Sequence, residues 1–298
     1  GRMAERTIAR APRDLNGVEL FVAGAFAGAT EMTIVQPLDM LKTRFQLHPS
    51  EGQSIVAGLR AVIAEGGVGQ LYRGLVPELL CGMPKSSVLY ATFTKVRDAT
   101  AAARGRDDLL NSFIGGAASG IPEAAVVTPF QVVKVRLQAK EHVGRYRNAV
   151  HCLRTMIAEE GVAALATGFS PTVARNCVWN SVYFTTFTAL KQARGSPGRA
   201  ETLLLGFGAG VFATCFNTPF DVVKSRMQAG VACPKPPKPS TLDRMLAIAR
   251  EEGLLALWKG FAAKSLRMGV GGAVGILSFD IICDVIREFD HKPARSGS

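Results

Sequence analysis

The hydrophobic positions of this chain fall into six long runs separated by polar or amphipathic segments. Residues 202–220 contain no Asp, Glu, Lys or Arg over 19 positions, close to the roughly 20 apolar residues that a helix needs to cross a bilayer. The corresponding runs at 20–38 and 112–130 carry one acid each, Glu31 and Glu123. Ionisable residues inside a membrane span usually face a bundle interior or a water-filled cavity. We therefore predict spans of mediocre hydropathy around a polar lumen.

A second apolar run follows each of these first runs, and an amphipathic segment separates the two. The second runs, at about 76–93, 170–190 and 264–287, carry isolated charges. In the amphipathic segments apolar residues recur at helical spacing with charges opposite, which is typical of helices lying on a membrane surface; these segments are 54–64, 148–158 and 241–251. The pattern predicts an all-α membrane protein with six transmembrane helices in three tandem pseudo-threefold repeats.

The threefold repeat is visible in two sequence blocks. A proline block recurs with its prolines, Pro37, Pro129 and Pro219, spaced by 92 and 90 residues. A second block ends each time at a glycine, with the three glycines spaced by 94 and 92 residues; they are Gly74, Gly168 and Gly260. We expect each proline to kink its helix and glycine pairs four residues apart to let helices approach closely; these pairs are Gly24/Gly28, Gly116/Gly120 and Gly206/Gly210. The predicted organisation is an extension at 1–14, repeats at 15–105, 106–198 and 199–290, and a tail at 291–298.

Composition narrows the function classes. The 298 residues include 35 Lys and Arg against 24 Asp and Glu, a formal charge of +11, and 48% are hydrophobic. That hydrophobicity excludes a disordered chain, and the six cysteines form no CxxC pair, so we predict no metal and no cofactor. The charge predicts anionic partners. Because there is no cluster of basic and aromatic residues, nucleic acid is not expected to be one of them. The four histidines are scattered along the chain, and the sequence gives no support for an enzymatic function.

The two blocks resemble the signatures of the mitochondrial carrier family, P-x-[DE]-x-x-[KR]-x-[KR] and [DE]-G-x-x-x-x-[FYW]-[KR]-G. The resemblance covers about residues 15–290, with departures at Gln131, where an acid is usual, and at 166–167, where Ala-Thr replaces an aromatic and a basic residue. It implies a multi-pass protein of the mitochondrial inner membrane that works by alternating access, with its short amphipathic helices on the matrix side.

Three segments look more specifically like the oxodicarboxylate branch of that family: 171–184, 266–274 and 217–228. This resemblance implies an antiporter of 2-oxoadipate and 2-oxoglutarate. A citrate or malate/2-oxoglutarate exchanger of the same family and a proton-leak-type carrier remain open as alternatives. The expected partners are small dicarboxylates and membrane lipid, with cardiolipin the expected lipid, and the expected state is a monomer.

Symmetry indicates where a substrate binds. Seven residues beyond the second-block glycines lie Cys81, Arg175 and Arg267, so the two arginines share one depth on equivalent helices. Lys85 lies four residues beyond Cys81, about one helical turn or 5.4 Å further along the same face. Arginine can hold a carboxylate with two parallel hydrogen bonds, and Asn176 could contact a 2-oxo group. These five residues are the predicted substrate site.

Glu31 and Glu123 are the predicted cavity acids, each six residues before its proline. They could tune the charge of the cavity or carry a co-transported proton. In the alternative reading they neutralise the cations of the predicted substrate site in purely structural pairs.

The proline blocks predict a gate on the matrix side. The first and third blocks place an acid two residues after the proline, where the second has Gln131, and all three place a cation five residues after it, so the acid of one repeat can meet the cation of the next around a threefold axis. The expected links are Asp39–Lys134, Asp221–Lys42 and a Gln131–Lys224 hydrogen bond. The family resemblance adds a glutamine brace nine residues after each proline, at Gln46, Gln138 and Gln228.

The family's opposite gate is degenerate in this chain. Of its residues, Arg97, Lys191 and Asp280 are present, and only Asp280–Arg97 can form an ionic pair. We therefore expect the cytoplasmic gate to be weaker than the matrix gate, so that the unloaded protein rests more often open to the cytoplasm.

Overall fold

The computed structural model describes residues 17–47, 54–195, 198–229 and 240–290; the predicted extension at 1–14 and the tail at 291–298 lie outside these ranges. Within them the chain forms long and short helices and no strand. The long helices are α1 (Gly17–Leu47), α3 (Leu75–Arg104), α4 (Leu109–Gln138), α6 (Phe169–Arg194), α7 (Arg199–Ala229) and α9 (Phe261–Asp290). The short helices are α2 (Ile55–Gly66), α5 (Ala149–Glu160) and α8 (Thr241–Glu252). The predicted all-α architecture of three repeats, each with two long helices and one short helix between them, is confirmed.

Local sequence signals set the helix starts. Asp108 accepts a hydrogen bond from the backbone N–H of Asn111 and caps α4, and Asn148 caps α5 in the same way. Such side-chain caps satisfy backbone donors that the first helical turn leaves unpaired. The three second-block glycines immediately precede α3, α6 and α9 with φ between 76° and 86°, a left-handed conformation that glycine adopts without steric cost.

The six long helices form a closed ring. Going around it, α1 contacts α9, α9 contacts α7, α7 contacts α6, α6 contacts α4, α4 contacts α3, and α3 contacts α1. The three helices that carry the repeated proline block, α1, α4 and α7, also contact one another, through residues beyond those prolines. The ring is therefore closed at the end where these helices finish, which we call the closed end.

A small hydrophobic core under each short helix supports the closed end. Each core joins the last part of a proline-containing helix to the short helix and the following 3-10 turn. The short helices contribute buried residues to these cores, including Val62 from α2, Met156 from α5 and Ile248 from α8.

A bidentate arginine–glutamate pair fastens the end of each short helix to the same long helix. Arg44 binds Glu65 at 2.7 Å, and the equivalent pairs are Arg136–Glu160 and Arg226–Glu252. Hydrogen bonds from these arginines hold the pKa values of Glu160 and Glu252 below their ordinary range.

The outer surface of the long helices is apolar. Phe26 is 62% exposed and Leu204 is 70% exposed, and Leu80 and Ile281 are similarly open. Apolar patches of this extent, around a charged interior, fit a protein that faces lipid. Two described segments, Glu201–Ala229 and Leu254–Ile286, meet a hydropathy criterion for membrane spans. The remaining long helices do not meet it, as expected for spans that carry charge toward a lumen.

The paired glycines allow close helix contact in only part of the ring. A Cβ on Gly120 would lie 2.5 Å from the backbone nitrogen of Cys177, and one on Gly116 would lie 2.7 Å from the carbonyl oxygen of Asn180. A Cβ on Gly24 or Gly28 would meet no atom within 4 Å. The prediction of close approach is therefore correct between α4 and α6 and wrong for the first repeat, where no described residue packs against this face of α1.

Candidate functional site

A cavity of about 400 Å³ lies inside the ring, directly above the closed end. Seven cationic side chains border it: Lys42, Lys85, Lys134, Arg175, Lys224, Lys264 and Arg267. Four acids also line it, namely Glu31, Asp39, Glu78 and Glu123, and Asp221 lies beneath, bonded to Lys42 and Lys264. With every group ionised, seven cations against five acids give a formal net charge of +2 around the cavity. A dianion would neutralise that charge.

Two of the predicted links of the matrix gate are formed at the cavity floor. Lys134 donates to Asp39 at 2.8 Å, and Lys42 pairs with Asp221 at 3.2 Å. Each link joins consecutive repeats in the same rotational sense. The closed end is thus held by ion pairs between α1 and α4 and between α7 and α1.

The third predicted link is absent. A lysine can only donate, so a bond from Lys224 to Gln131 must reach the amide oxygen Oε1. That oxygen accepts no hydrogen bond from any described residue. The prediction of a Gln131–Lys224 hydrogen bond is therefore wrong for this conformation, and α4 is joined to α7 instead by Arg136 Nε, which donates to the backbone oxygen of Gln228 at 3.4 Å.

The predicted glutamine brace, like the gate, forms at two of its three positions. Thr43 donates to Gln138 Oε1 at 2.7 Å, and Ser225 donates to Gln46 Oε1 at 2.7 Å. Both hydroxyls lie six residues after their prolines, where the second repeat has Val135 instead. Gln228, which would need a hydroxyl at that position, has neither amide atom bonded within the described structure.

The arginines of the predicted substrate site both reach gate acids. Arg267 binds Asp39, and Arg175 lies 3.6 Å from Asp221. Arg175 also donates to the side-chain oxygen of its neighbour Asn176. Asn176 is 2% exposed and lines the cavity, and its Nδ2 has no partner among the described residues. Arginines and gate acids therefore belong to one network.

The other members of the predicted site differ in their surroundings. Lys85 lines the cavity with its Nζ 3.9 Å from Glu123, whose other oxygen accepts a hydrogen bond from Asn180 at 2.8 Å. The structural pairing of a site cation by a cavity acid is thus seen for Lys85. Cys81 is only 4% exposed and is not one of the lining residues.

The second cavity acid, Glu31, lies against α9. A Cβ on Gly271 or Gly275 would come within 2.9 Å of a Glu31 carboxylate oxygen. The carboxylate can therefore lie flat on the α9 backbone one turn above Arg267.

Sequence reasoning missed two charged residues of the network. Glu78 accepts from Lys134 at 3.1 Å, and Lys264 donates to Asp221 at 2.6 Å and to Asn217. Glu78 and Lys264 each lie four residues after a second-block glycine, at equivalent positions of the first and third repeats. The threefold numbering that found Arg175 and Arg267 would have found them one turn earlier. Thr172 stands at that position in the second repeat and bonds its own helix instead.

The predicted cytoplasmic gate is not closed in this structure. Arg97 pairs with Asp107, on the connection between α3 and α4, and not with Asp280. Lys191 is exposed near the end of α6. The expected Asp280–Arg97 contact is therefore absent here, while the links at the opposite end are made.

Comparison with known proteins agrees with this architecture. The family model described as mitochondrial carrier protein matches residues 13–102, 105–198 and 195–289. The chain is 36% identical to a probable mitochondrial 2-oxodicarboxylate carrier of Dictyostelium discoideum, covering 85% of this chain and 86% of that protein. It is 34% identical to the mitochondrial 2-oxodicarboxylate carrier of Homo sapiens, covering 90% and 94%. It is 33% identical to the mitochondrial citrate transporter D of Aspergillus niger, covering 90% and 93%. The chain belongs to the mitochondrial carrier family.

Proposed function

We propose that this protein exchanges 2-oxodicarboxylates, with 2-oxoadipate and 2-oxoglutarate as the expected substrates, across the mitochondrial inner membrane. The observation that carries the proposal is the cavity lined by more cationic than acidic side chains, with a formal net charge of +2 that matches an acid with two ionised carboxyl groups. The names of the relatives support the same substrate class.

Arg175 and Arg267 are the groups best suited to bind the two carboxylates. Each guanidinium offers a planar fork of donors, and each reaches into the cavity from an equivalent helix. Asn176 supplies a buried amide N–H that bonds no described residue and can donate to the 2-oxo group. A buried donor without a partner discriminates strongly for ligands that complete its hydrogen bond.

The network couples binding to gating. Because Arg267 also binds Asp39 and Arg175 also approaches Asp221, a substrate carboxylate competes with the gate acids for the same guanidinium groups. Binding thereby weakens the links of the closed end. A ligand shifts such an equilibrium only by its differential affinity for the two states. The empty protein lacks the substrate that weakens the closed end. We therefore expect the empty protein to convert slowly, so that transport takes the form of exchange.

A competition assay tests the substrate class. Liposomes containing the purified protein and unlabelled 2-oxoglutarate are given external labelled 2-oxoglutarate together with one unlabelled acid. We expect 2-oxoadipate to inhibit uptake strongly and 2-oxobutyrate, which has one carboxylate, to inhibit weakly. Stronger inhibition by citrate than by either oxodicarboxylate would instead favour a citrate exchanger, the function named for the Aspergillus relative.

Two further expectations accompany this function. The protein is expected to work as a monomer, because the cavity is enclosed by the helices of one chain. Cardiolipin is the expected lipid partner in a basic protein of an inner membrane.

A further inference from the structure

Lys224 differs from the other lysines of the gate because it forms no ion pair with an acid of the described residues. It is 5% exposed and lines the cavity. Lys42, Lys134 and Lys264 each pair with a carboxylate within 3.2 Å, whereas no carboxylate of the described residues lies within 4.0 Å of the Lys224 ammonium. The cause is in the sequence, because Gln131 stands where the other repeats have Asp39 and Asp221.

The surroundings of Lys224 contain further unpaired polar groups. Gln131 Oε1 accepts no hydrogen bond from the described residues, and both amide atoms of Gln228 are also without a partner there. Gln228 lies four residues after Lys224 on α7, and α4 contacts α7. A buried cation without a counter-ion is costly. Of the unpaired amide atoms, only the Gln228 Nε2 is a donor that could add to the attraction of Lys224 for an anion. The α4–α7 side of the floor is therefore suited to receive an anion.

A second cation lies close enough to act with Lys224. Arg175 is such a cation, and its closest carboxylate contact among the described residues is to Asp221 at 3.6 Å. Both side chains line the same cavity, from the adjacent helices α6 and α7. An anion placed between the two cations would offset the repulsion between like charges.

We propose that Lys224, together with Arg175, binds one carboxylate of the transported acid, which takes the place of the acid that Gln131 replaces in the second repeat. This inference rests on the proposed function and adds a specificity residue to it. The second carboxylate is then left for Arg267 and Lys85 on the other side of the cavity. An acid with a single carboxylate cannot occupy both positions.

A matched pair of substitutions at Gln131 tests the proposal. Gln131→Asp restores the acid of the other repeats and gives Lys224 a permanent partner, whereas Gln131→Asn has the same size and no charge. Binding of 2-oxoglutarate to the purified full-length protein in detergent is measured by titration calorimetry. We expect Gln131→Asp to raise the Kd by about tenfold or more, as for loss of a close charge pair, and Gln131→Asn to change it by less than about twofold.

Removal of the cation gives a second test. Lys224→Gln is expected to weaken 2-oxoglutarate binding by about tenfold or more, while Lys95→Gln, which removes an exposed lysine outside the cavity, leaves it unchanged. Equal affinities for Gln131→Asp and Gln131→Asn, or unchanged affinity in Lys224→Gln, would overturn the proposal. If Gln131→Asp does not fold, the Lys224→Gln result decides alone. Failure of the unsubstituted protein to bind any oxodicarboxylate contradicts the proposed function instead, before a variant is made.

Discussion

The arginines of the cavity combine two tasks, since each is directed at the substrate and also contacts a gate acid. We predict that Arg175→Ala and Arg267→Ala each reduce exchange to background while lowering stability little. Asp39 keeps Lys134 at 2.8 Å and Asp221 keeps Lys264 at 2.6 Å, so neither carboxylate loses its last cation. The measurements are labelled 2-oxoglutarate exchange in liposomes and the melting temperature of the purified variants.

A conservative variant separates geometry from charge at the same position. Arg175→Lys keeps the charge and loses the planar fork, so it is expected to recover only a small part of the exchange rate. A rate equal to that of the unsubstituted protein in Arg175→Lys or in either alanine variant would remove that arginine from the substrate site.

The hydroxyl groups that donate to the brace glutamines give a prediction about stability. Thr43→Val removes the bond to Gln138 and should lower the free energy of unfolding by about 1 kcal/mol, a typical value for a buried hydrogen bond. Val135→Thr supplies the hydroxyl that Gln228 lacks and should raise it by a similar amount while slowing exchange, because the closed end opens less readily. Thermal unfolding in detergent measures both.

Thr43→Val and Val135→Thr serve as mutual controls because they make opposite changes at equivalent positions. Destabilisation by both substitutions would show that the equivalence between the two positions fails.

At this scale the sequence predicts a contact when the repeat register alone determines it. Asp39–Lys134 and Asp221–Lys42 follow from counting residues after each proline. The attraction of Arg267 to Asp39 does not follow, because it depends on how far a long side chain extends across the cavity. The Gln131–Lys224 bond failed because a neutral amide attracts an ammonium too weakly to fix its position.

Among the contacts between whole helices, the one between α4 and α6 depends on glycine. Gly120→Ala would place a methyl group 2.5 Å from the backbone of Cys177, and we expect a loss of about 1–3 kcal/mol, as for overpacked cores. Gly28→Ala is the matched control, because Gly28 occupies the same place in the first repeat and a Cβ there meets nothing within 4 Å. Equal melting temperatures for the two variants would contradict the packing described for α4 and α6.

The arginine–glutamate pairs that fasten the short helices predict a dependence on pH. Hydrogen bonds from Arg136 and Arg226 depress the pKa values of Glu160 and Glu252 from the ordinary 4.5. A carboxyl group with a depressed pKa stabilises the fold above its ordinary pKa, and this contribution is lost as the pH falls through the depressed value. The melting temperature should therefore fall as the pH drops below about 4.5.

The contribution of each pair is expected to be small because both glutamates are partly exposed, with about 0–1 kcal/mol typical of such pairs. Glu160→Gln and Glu252→Gln should each flatten the fall between pH 5 and pH 3, and Glu251→Gln, on the exposed side of α8, should not. A steeper fall in the Glu160 and Glu252 variants would refute the assignment.

Element boundaries were predictable where the sequence marks them with a repeat. The amphipathic segments at 54–64, 148–158 and 241–251 correspond to α2, α5 and α8 within two residues at either end. The glycine pairs show the limit of this reasoning. Gly24/Gly28 and Gly116/Gly120 look alike in sequence, but only the second pair has a helix packed against it. Which face of a helix meets a neighbour depends on the assembled ring.

For the whole molecule, the structure represents one end of the transport cycle, with the gate beyond the prolines closed and Asp280–Arg97 unpaired. The expectation that the unloaded protein rests open to the cytoplasm stays a prediction. A cysteine that faces the cavity would report which side is open, but the thiol of Cys81 is buried in this conformation. Gly272→Cys is a better reporter, because Gly272 lines the cavity and has open space around the position of a Cβ.

Net uptake and exchange of substrate distinguish a gated carrier from a leak most directly. Uptake of labelled 2-oxoglutarate is followed in two sets of liposomes containing the protein, one empty and one filled with unlabelled 2-oxoglutarate. A single site that opens alternately to either side, and crosses readily only when loaded, predicts rapid uptake into the filled liposomes and almost none into the empty ones. Equal initial rates in the two sets would contradict it.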